Sequence, residues 1–142
     1  MKPTPGSKDG LRYTYWMHYA EGSAMPPLLM KLVFTRLAGA PMPALARPLV
    51  RRVADRAIKG FVEPQIALHL DFMEAELAKS TWFAGEELSG ADIQMSFPLE
   101  AAAARGGLDA GRRRLWDFLA RIHARPAYRQ ALEKGGEYAL LR

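Results

Sequence analysis

The most regular hydrophobic pattern of the chain lies near its middle. Between residues 62 and 77, apolar side chains recur at spacings of four and three, which is the period of one face of an α-helix. The helical stretch around them extends from about Ala44 to Lys79. Pro64, helped by Gly60, predicts a bend within that stretch because proline cannot donate to the helical hydrogen-bond ladder. The apolar positions are Val62, Ile66, Leu70, Met73 and Leu77.

A second pattern follows in residues 82–101. Ser89 and Asp92 have the spacing of a capping box, in which the Ser89 hydroxyl accepts from the Asp92 backbone N–H and the Asp92 carboxylate accepts from the Ser89 N–H. The residues after the box are apolar on nearly every side of a helix, and a helix without a polar face is usually buried. We therefore expect this helix to be the central axis of the domain. Its apolar residues are Ile93, Met95, Phe97, Leu99 and Ala101 to Ala104.

The first helix is dense in aromatic residues. It begins near Lys8 or Asp9, with Asp9 as the expected N-cap, and it should kink or restart at Pro26-Pro27. Its apolar residues occupy two faces, so we expect its own domain to cover one face and another partner to cover the other. Tyr15, Tyr19 and Gly22 form one face, and Tyr13, Trp16, Ala20 and Ala24 form the other.

The C-terminal third predicts two more helices. Residues 112–124 place Leu115, Phe118, Leu119 and Ile122 on one face, and a last helix starts at Pro126 with Tyr128 and Leu132 inward and ends at Gly135-Gly136. Gly106-Gly107 should close the central helix. No segment alternates in the manner of a strand. The sequence therefore predicts an all-α fold, a single bundle of five to six helices over residues 11–142, after a polar leader or linker over residues 1–10.

Composition narrows the setting of this domain. Hydrophobic residues make up 49% and charged residues 25% of the 142 residues, and there is no cysteine. Disulfides, thiol nucleophiles and zinc–thiolate sites are therefore excluded, which fits a reducing compartment. The N-terminus has no apolar signal segment, and the longest apolar run is too short to span a bilayer. We expect a soluble cytoplasmic protein with no membrane partner.

The chain carries a net charge of +5 and a pI near 9.7. Arginines cluster in residues 47–56 and 112–114, but carboxylates interrupt the clusters and no nucleic-acid-binding motif surrounds them. Solvated helix faces explain most such arginines. Nucleic acid is therefore the least favoured partner.

The residues alone indicate little chemistry. His18, His69 and His123 lack the spacing of metal ligands, so we expect no metal site. Asp92 is interpreted as a capping residue, and no catalytic residue is predicted. Met25, beside the Pro-Pro break, is a candidate for a small-molecule site because a broken helix frees side chains from helical packing.

Three segments resemble one known family. LSGADI (Leu88 to Ile93), preceded by WFAGEELS, looks like the helix-six folding motif of the C-terminal helical domain of cytosolic glutathione transferases. RIHARPAYRQALE (Arg121 to Glu133) is similar to the last helices of that family. YWMHYAEGSAMPPL (Tyr15 to Leu28) resembles the fungal and bacterial subclass related to the yeast enzymes. The resemblance covers nearly the whole chain, from about Leu11 to Leu141.

The resemblance implies a function and a set of site residues. It implies the substrate-binding domain of an enzyme that conjugates glutathione to electrophiles or reduces peroxides, with glutathione as co-substrate and no other cofactor. It implies a position near glutathione for His18 and Ser23. Met25 is the family's further position near the site, whereas Tyr15, Tyr19 and Gly22 are added as pocket residues from the argument about helix faces. A small hydrophobic electrophile is the implied ligand.

The resemblance also implies two partners. In the family, a thioredoxin-like N-terminal domain binds most of glutathione and supplies the residue that activates its thiol, and homodimers form through the first two helices. No such domain precedes Leu11 in this sequence, so we expect the isolated chain to be inactive. The alternative is a stand-alone helical protein-interaction module.

Overall fold

The computed structural model describes residues 1–105, 107–136, 138 and 140. The described residues form seven α-helices and two π-helical turns, with no β-strand; Trp82 and Gly85 form an isolated bridge. The helices are α1 (Lys8–Tyr19), α2 (Met25–Gly39), α3 (Arg47–Ala57), α4 (Glu63–Glu76), α5 (Gly90–Ala104), α6 (Arg113–His123) and α7 (Pro126–Gly135). The π-helical turns, Ala20–Ala24 and Ile58–Val62, join α1 to α2 and α3 to α4. Counted as continuous helices with bends, these elements number five, which confirms the all-α prediction.

The first continuous helix begins at Lys8, as predicted, but its N-cap lies two residues before the expected one. Ser7 has an extended backbone, and its hydroxyl oxygen accepts from the Gly10 N–H at 3.0 Å, so Ser7 is the N-cap and the prediction of Asp9 is wrong. Asp9 lies in the first turn, where its charge favours the helix N-terminus. The predicted restart at Pro26-Pro27 is confirmed: the π-helical turn absorbs the change, and the prolines occupy the first turn of α2.

The second continuous helix bends where its sequence predicts. The turn Ile58–Val62 contains Gly60 and immediately precedes α4, in which Pro64 is the second residue. The stripe of α4 is buried as expected, with Ile66, Leu70 and Met73 all in the core. α3 and α4 pack along α2, so the two bent helices form an antiparallel pair.

α5 occupies the centre of the bundle and packs against α1, α2 and α6. The capping box is present at its N-terminus, and the Asp92 carboxylate also accepts from the Phe83 N–H at 2.8 Å. The prediction of a buried central helix holds for most of α5 but not for one of its sides. Ile93 is 51% and Phe97 42% exposed, because the described helices cover the remaining sides and leave this one open. α5 ends at Ala104 with Arg105 as its C-cap; Gly106, one of the two glycines expected to end it, lies outside the described residues.

α6 and α7 complete the bundle. All four residues of the predicted stripe of α6 are buried. α7 is less deeply packed, with Tyr128 and Leu132 only partly buried, and Gly136 ends it with a positive φ of 76°. The buried Glu100 of α5 ties this end together by accepting hydrogen bonds from Tyr128 at 2.7 Å and from Tyr138 at 2.6 Å, and its carboxylate pairs with His123 at 2.9 Å. None of the described helices is both long enough and apolar enough to cross a membrane.

Candidate functional site

The aromatic residues of α1 meet residues of α4. We call Tyr15, Trp16, Tyr19 and Phe72 the aromatic cluster. Trp16 lies at its centre, with its ring stacked on Phe72 at 5.5 Å and edge-on to Tyr19 at 4.9 Å. Tyr15 stacks on Tyr19 at 5.6 Å and meets Phe72 edge-on at 6.4 Å. Such pairs are favourable beyond the area they bury, so the cluster holds α1 and α4 in a fixed relation.

Tyr15 and Tyr19, which the sequence pattern placed on one face of the helix, differ in exposure. Tyr15 is 50% exposed, whereas Tyr19 is only 8% exposed. The Tyr19 hydroxyl and the Nδ1 atom of His69 are 2.6 Å apart. Burial raises the pKa of Tyr19 and lowers the pKa of His69, so at neutral pH a protonated phenol is hydrogen-bonded to an uncharged imidazole. Tyr19 is therefore an interior residue, and its hydroxyl is already used.

An exposed apolar strip runs beside the cluster. Leu11 lies one turn before Tyr15 on α1, and Leu68 lies one turn before Phe72 on α4; all four residues are exposed. The contact between Tyr15 and Phe72 joins the two halves into one surface, which we call the apolar strip. Burial and the negative charge of Glu76 raise the pKa of Tyr15, so its hydroxyl stays protonated and can donate a hydrogen bond. This surface fits the prediction that a second partner covers part of α1.

The other predicted site residues follow Tyr19 around the π-helical turn. Gly22 is exposed, and a Cβ at this position would meet nothing within 4 Å. Ser23 is partly buried, and Met25 is partly buried and packs against the core. His18, in the last turn of α1, is exposed. The structure thus brings Tyr15 and Tyr19 together and leaves His18 and Gly22 open.

A polar contact fixes the π-helical turn against α5. The Gln94 side chain donates to the Glu21 carboxylate at 2.8 Å, and Gln94 is flanked on α5 by the exposed Ile93 and Phe97. A second exposed apolar surface therefore lies on the α5 side of α1. Its pattern could not be recognised from sequence, because Ile93 and Phe97 resemble core residues until their neighbours are known.

Two residues of the site were missed by sequence reasoning. His69 and Phe72 lie on α4, about 50 residues from their partners on α1. The signal that could have found them is their offset from the buried stripe: each is next to Leu70 or Met73 along the chain but points to a different face.

Metal and ligand chemistry is limited among the described residues. No group of three or more His, Asp or Glu side chains in the described ranges is arranged to hold a metal ion. A cavity of about 680 Å³ lies at the other end of α1, between residues 1–4 of the leader and the loop after α4, and it is lined by both basic and acidic side chains. Among the site residues, the arrangement offers apolar and aromatic surfaces for binding.

The comparisons with known proteins agree with one another. The family model described as "Glutathione S-transferase, C-terminal domain" matches residues 27–126, more than half of the chain. Glutathione S-transferase 1 of Saccharomyces cerevisiae is 36% identical over 92 residues, which cover 64% of this chain and 39% of that protein. Glutathione S-transferase 3 of Schizosaccharomyces pombe is 31% identical over 123 residues, which cover 87% of this chain and 50% of that protein. The chain therefore spans at most about half the length of these curated relatives.

Two solved structures share the fold. A glutathione S-transferase from Actinobacillus pleuropneumoniae superposes with a TM-score of 0.70 at 24% identity, covering 100% of this chain and 58% of that one. A glutathione transferase from Populus trichocarpa superposes with a TM-score of 0.62 at 17% identity, covering 92% of this chain and 58% of that one. At these identities the likeness shows the fold alone.

Proposed function

Because the chain belongs to the glutathione S-transferase C-terminal domain family, we propose that it forms the substrate-binding part of a glutathione transferase. The observation that carries this proposal is the family match over residues 27–126. The transferase names of the two yeast relatives support it and do not favour a stand-alone interaction module.

The proposed reaction is attack by the thiolate of glutathione on a small hydrophobic electrophile. A bond forms between sulfur and the electrophilic carbon, and the leaving group departs with the electron pair of the broken bond. With a peroxide, the thiolate attacks oxygen, the O–O bond breaks and an alcohol leaves after protonation, and a second glutathione then displaces the hydroxyl group as water to give the disulfide. The chain has no cysteine and no thiol-activating group assigned to it, so a thioredoxin-like domain would lower the thiol pKa. This chain would supply the apolar wall that holds the electrophile and excludes water.

Residue roles follow from exposure. The half-exposed ring of Tyr15 offers a flat apolar face on which an aromatic electrophile can stack. Gly22 leaves open space where a ligand or a partner backbone can approach, and Met25 would form the pocket floor. His18 and Ser23 remain our candidates for contact with glutathione. Tyr19 acts from the interior, by fixing His69 and the ring of Tyr15.

Assembly is proposed from two of the uncovered apolar surfaces. A thioredoxin-like domain and a second copy of the chain would each need a contact area on the first two continuous helices or beside them. The apolar strip at Leu11, Leu68 and Phe72 and the surface around Ile93 and Phe97 provide two such areas. We propose that the assembled enzyme is cytoplasmic, because proteins of a reducing compartment do not rely on disulfides and this chain has no cysteine.

The experiment compares the chain alone with the chain joined behind a thioredoxin-like domain. Conjugation of glutathione to a chloronitrobenzene-type substrate is followed by absorbance. We expect no turnover above the uncatalysed rate for the chain alone and measurable turnover for the joined protein. Robust turnover by the chain alone would contradict the division of roles. A folded joined protein without turnover or glutathione binding would contradict the transferase function itself.

A further inference from the structure

Most of helix α3 is exposed. Only Ala54 among its residues is buried, and α3 packs chiefly along α2. Its outer side carries four exposed arginines: Arg47, Arg51, Arg52 and Arg56. None of these arginines pairs with a carboxylate that the structure describes. Asp55 is the only acidic residue of α3, so the outer face has a strong positive charge.

Apolar side chains lie among these arginines. Leu45, in the loop that leads into α3, is 95% exposed, and Leu49 and Val53 follow it at intervals of four residues with exposures of 66% and 58%. A spacing of four keeps Leu49 and Val53 on one side of α3, and Leu45 is exposed in the turn just before the helix. We call the loop of residues 41–46 and α3 together the basic tip.

We propose that the basic tip binds the surface of a membrane that contains anionic phospholipids. Arginines on a helix attract anionic headgroups, and exposed apolar side chains on and beside that helix can enter the boundary between headgroups and acyl chains. An open surface depression of about 480 Å³, lined by Arg47, Arg51 and Arg52 and also by Asp55, offers room for a headgroup phosphate. Binding at a membrane surface needs no membrane-spanning helix. The expectation of no membrane partner rested on the absence of such a helix, and this proposal replaces it.

Other occupants fit the basic tip less well. A second copy of the chain meeting this face symmetrically would bring unpaired arginines against one another, which opposes association. A nucleic acid would match the arginines but would leave Leu45, Leu49 and Val53 without apolar partners. An anionic lipid surface satisfies both sets of residues.

The location of the basic tip keeps the candidate site free. α2 has 15 residues and is therefore about 22 Å long, so it separates the loop of residues 41–46, the outer end of the basic tip, from the π-helical turn that carries Gly22, while α3 packs back along α2. A protein bound through its tip would hold the aromatic cluster away from the lipid. The proposal is independent of the proposed transferase function.

The test is co-sedimentation of the whole chain with large unilamellar vesicles. Vesicles of phosphatidylcholine alone are compared with vesicles containing 30% phosphatidylserine, about the anionic content of a cytoplasmic leaflet, at low and high salt. We expect binding to the anionic vesicles at low salt, loss of binding at high salt, and little binding to phosphatidylcholine alone.

Variants distinguish binding through the basic tip from attraction of the vesicles by the net charge of the chain. Arg51→Gln with Arg52→Gln should lower the partition coefficient about 25-fold, at about fivefold per arginine. Leu45→Ser should lower it by about tenfold, since it removes most of one leucine side chain from the interface. Arg113→Gln with Arg129→Gln makes the same charge change at exposed arginines elsewhere and should have little effect. All of these side chains are exposed, and unchanged thermal unfolding would verify that the variants fold.

Several outcomes would overturn the proposal. One is equal loss of binding in the two double variants, which would show attraction to overall charge only. Another is the absence of binding to anionic vesicles at low salt. A third is retention of duplex DNA that depends on Arg51 and Arg52 but not on Leu45, which would identify a nucleic acid as the partner.

Discussion

Replacement of Asp92 by alanine removes a buried carboxylate that accepts three hydrogen bonds at the start of α5. Asp92 is fully buried, and its Oδ1 atom accepts from the Phe83 N–H while its Oδ2 atom accepts from both the backbone N–H and the hydroxyl of Ser89, each at 2.8 Å. Alanine would leave two buried backbone donors without acceptors, because Phe83 and Ser89 are themselves shielded from water.

The expected cost follows from these bonds. Loss of the cap costs about 1 kcal/mol, and the orphaned N–H of Phe83 adds about 1–3 kcal/mol. Burial raises the pKa of Asp92 despite these hydrogen bonds, so burying the carboxylate is itself unfavourable, and its removal offsets part of the loss. We expect the free energy of unfolding to fall by about 2–4 kcal/mol. At this chain length the melting temperature would fall by about 6–15 °C.

Chemical and thermal unfolding followed by circular dichroism measure this change. The matched control is Ser7→Ala, which removes the cap of α1, a partly exposed cap whose Gly10 N–H can turn to water. It should cost at most about 1 kcal/mol. If Asp92→Ala were no more destabilising than Ser7→Ala, the argument that Asp92 joins the loop at Phe83 to the central helix would be refuted.

Three further predictions concern the C-terminal end of α1 and the contact of Tyr138 with α5. Burial lowers the pKa of His69 below 6.5, so the unfolded chain binds the proton more readily; the stability contributed by neutral His69 is present above pH 6.5 and is lost as the pH falls through the folded value. Urea unfolding at pH 7.5 and 5.5 should show this loss in the wild type and in His18→Gln but not in His69→Gln. The same change in the free energy of unfolding between the two pH values in all three proteins would contradict it. Tyr138→Phe removes one donor to the buried Glu100 and should lower the free energy of unfolding by about 1 kcal/mol, so an unchanged urea midpoint would disprove that contact. Gly22→Ala should leave the isolated chain equally stable or up to about 1 kcal/mol more stable, yet lower kcat/KM of the joined enzyme if a ligand approaches there; unchanged kcat/KM would remove Gly22 from the pocket.

Local patterns were sufficient where neighbours along the chain decide the structure. The capping box at Ser89 and Asp92 depends on residues three apart, and the stripe of α6 depends on one helical period; both are present as predicted. The bends at Pro26 and Pro64 also follow from local chemistry, since proline lacks the N–H that a continuous helix needs. Sequence alone could not indicate that π-helical turns would absorb these bends.

Sequence patterns did not predict the exposure of residues whose surroundings depend on contacts between distant segments. The hydrogen bond between Tyr19 and His69 joins residues 50 apart, and it turns a predicted pocket residue into an interior one. Ile93 and Phe97 have the chemistry of core residues but lie on the one side of α5 that the described helices leave open. Their exposure depends on where α1 and α6 pack, which no short-range spacing records.

The central claim is that this chain supplies substrate preference to a glutathione transferase, whereas a thioredoxin-like domain supplies the activated thiol. A domain exchange tests it most directly. One thioredoxin-like domain is joined either to this chain or to the helical domain of a second transferase, and kcat/KM is measured for a panel of electrophiles of different size. We predict that the ranking of substrates changes with the helical domain while the pH dependence of the reaction stays the same. A ranking that follows the thioredoxin-like domain regardless of its helical partner would contradict the account.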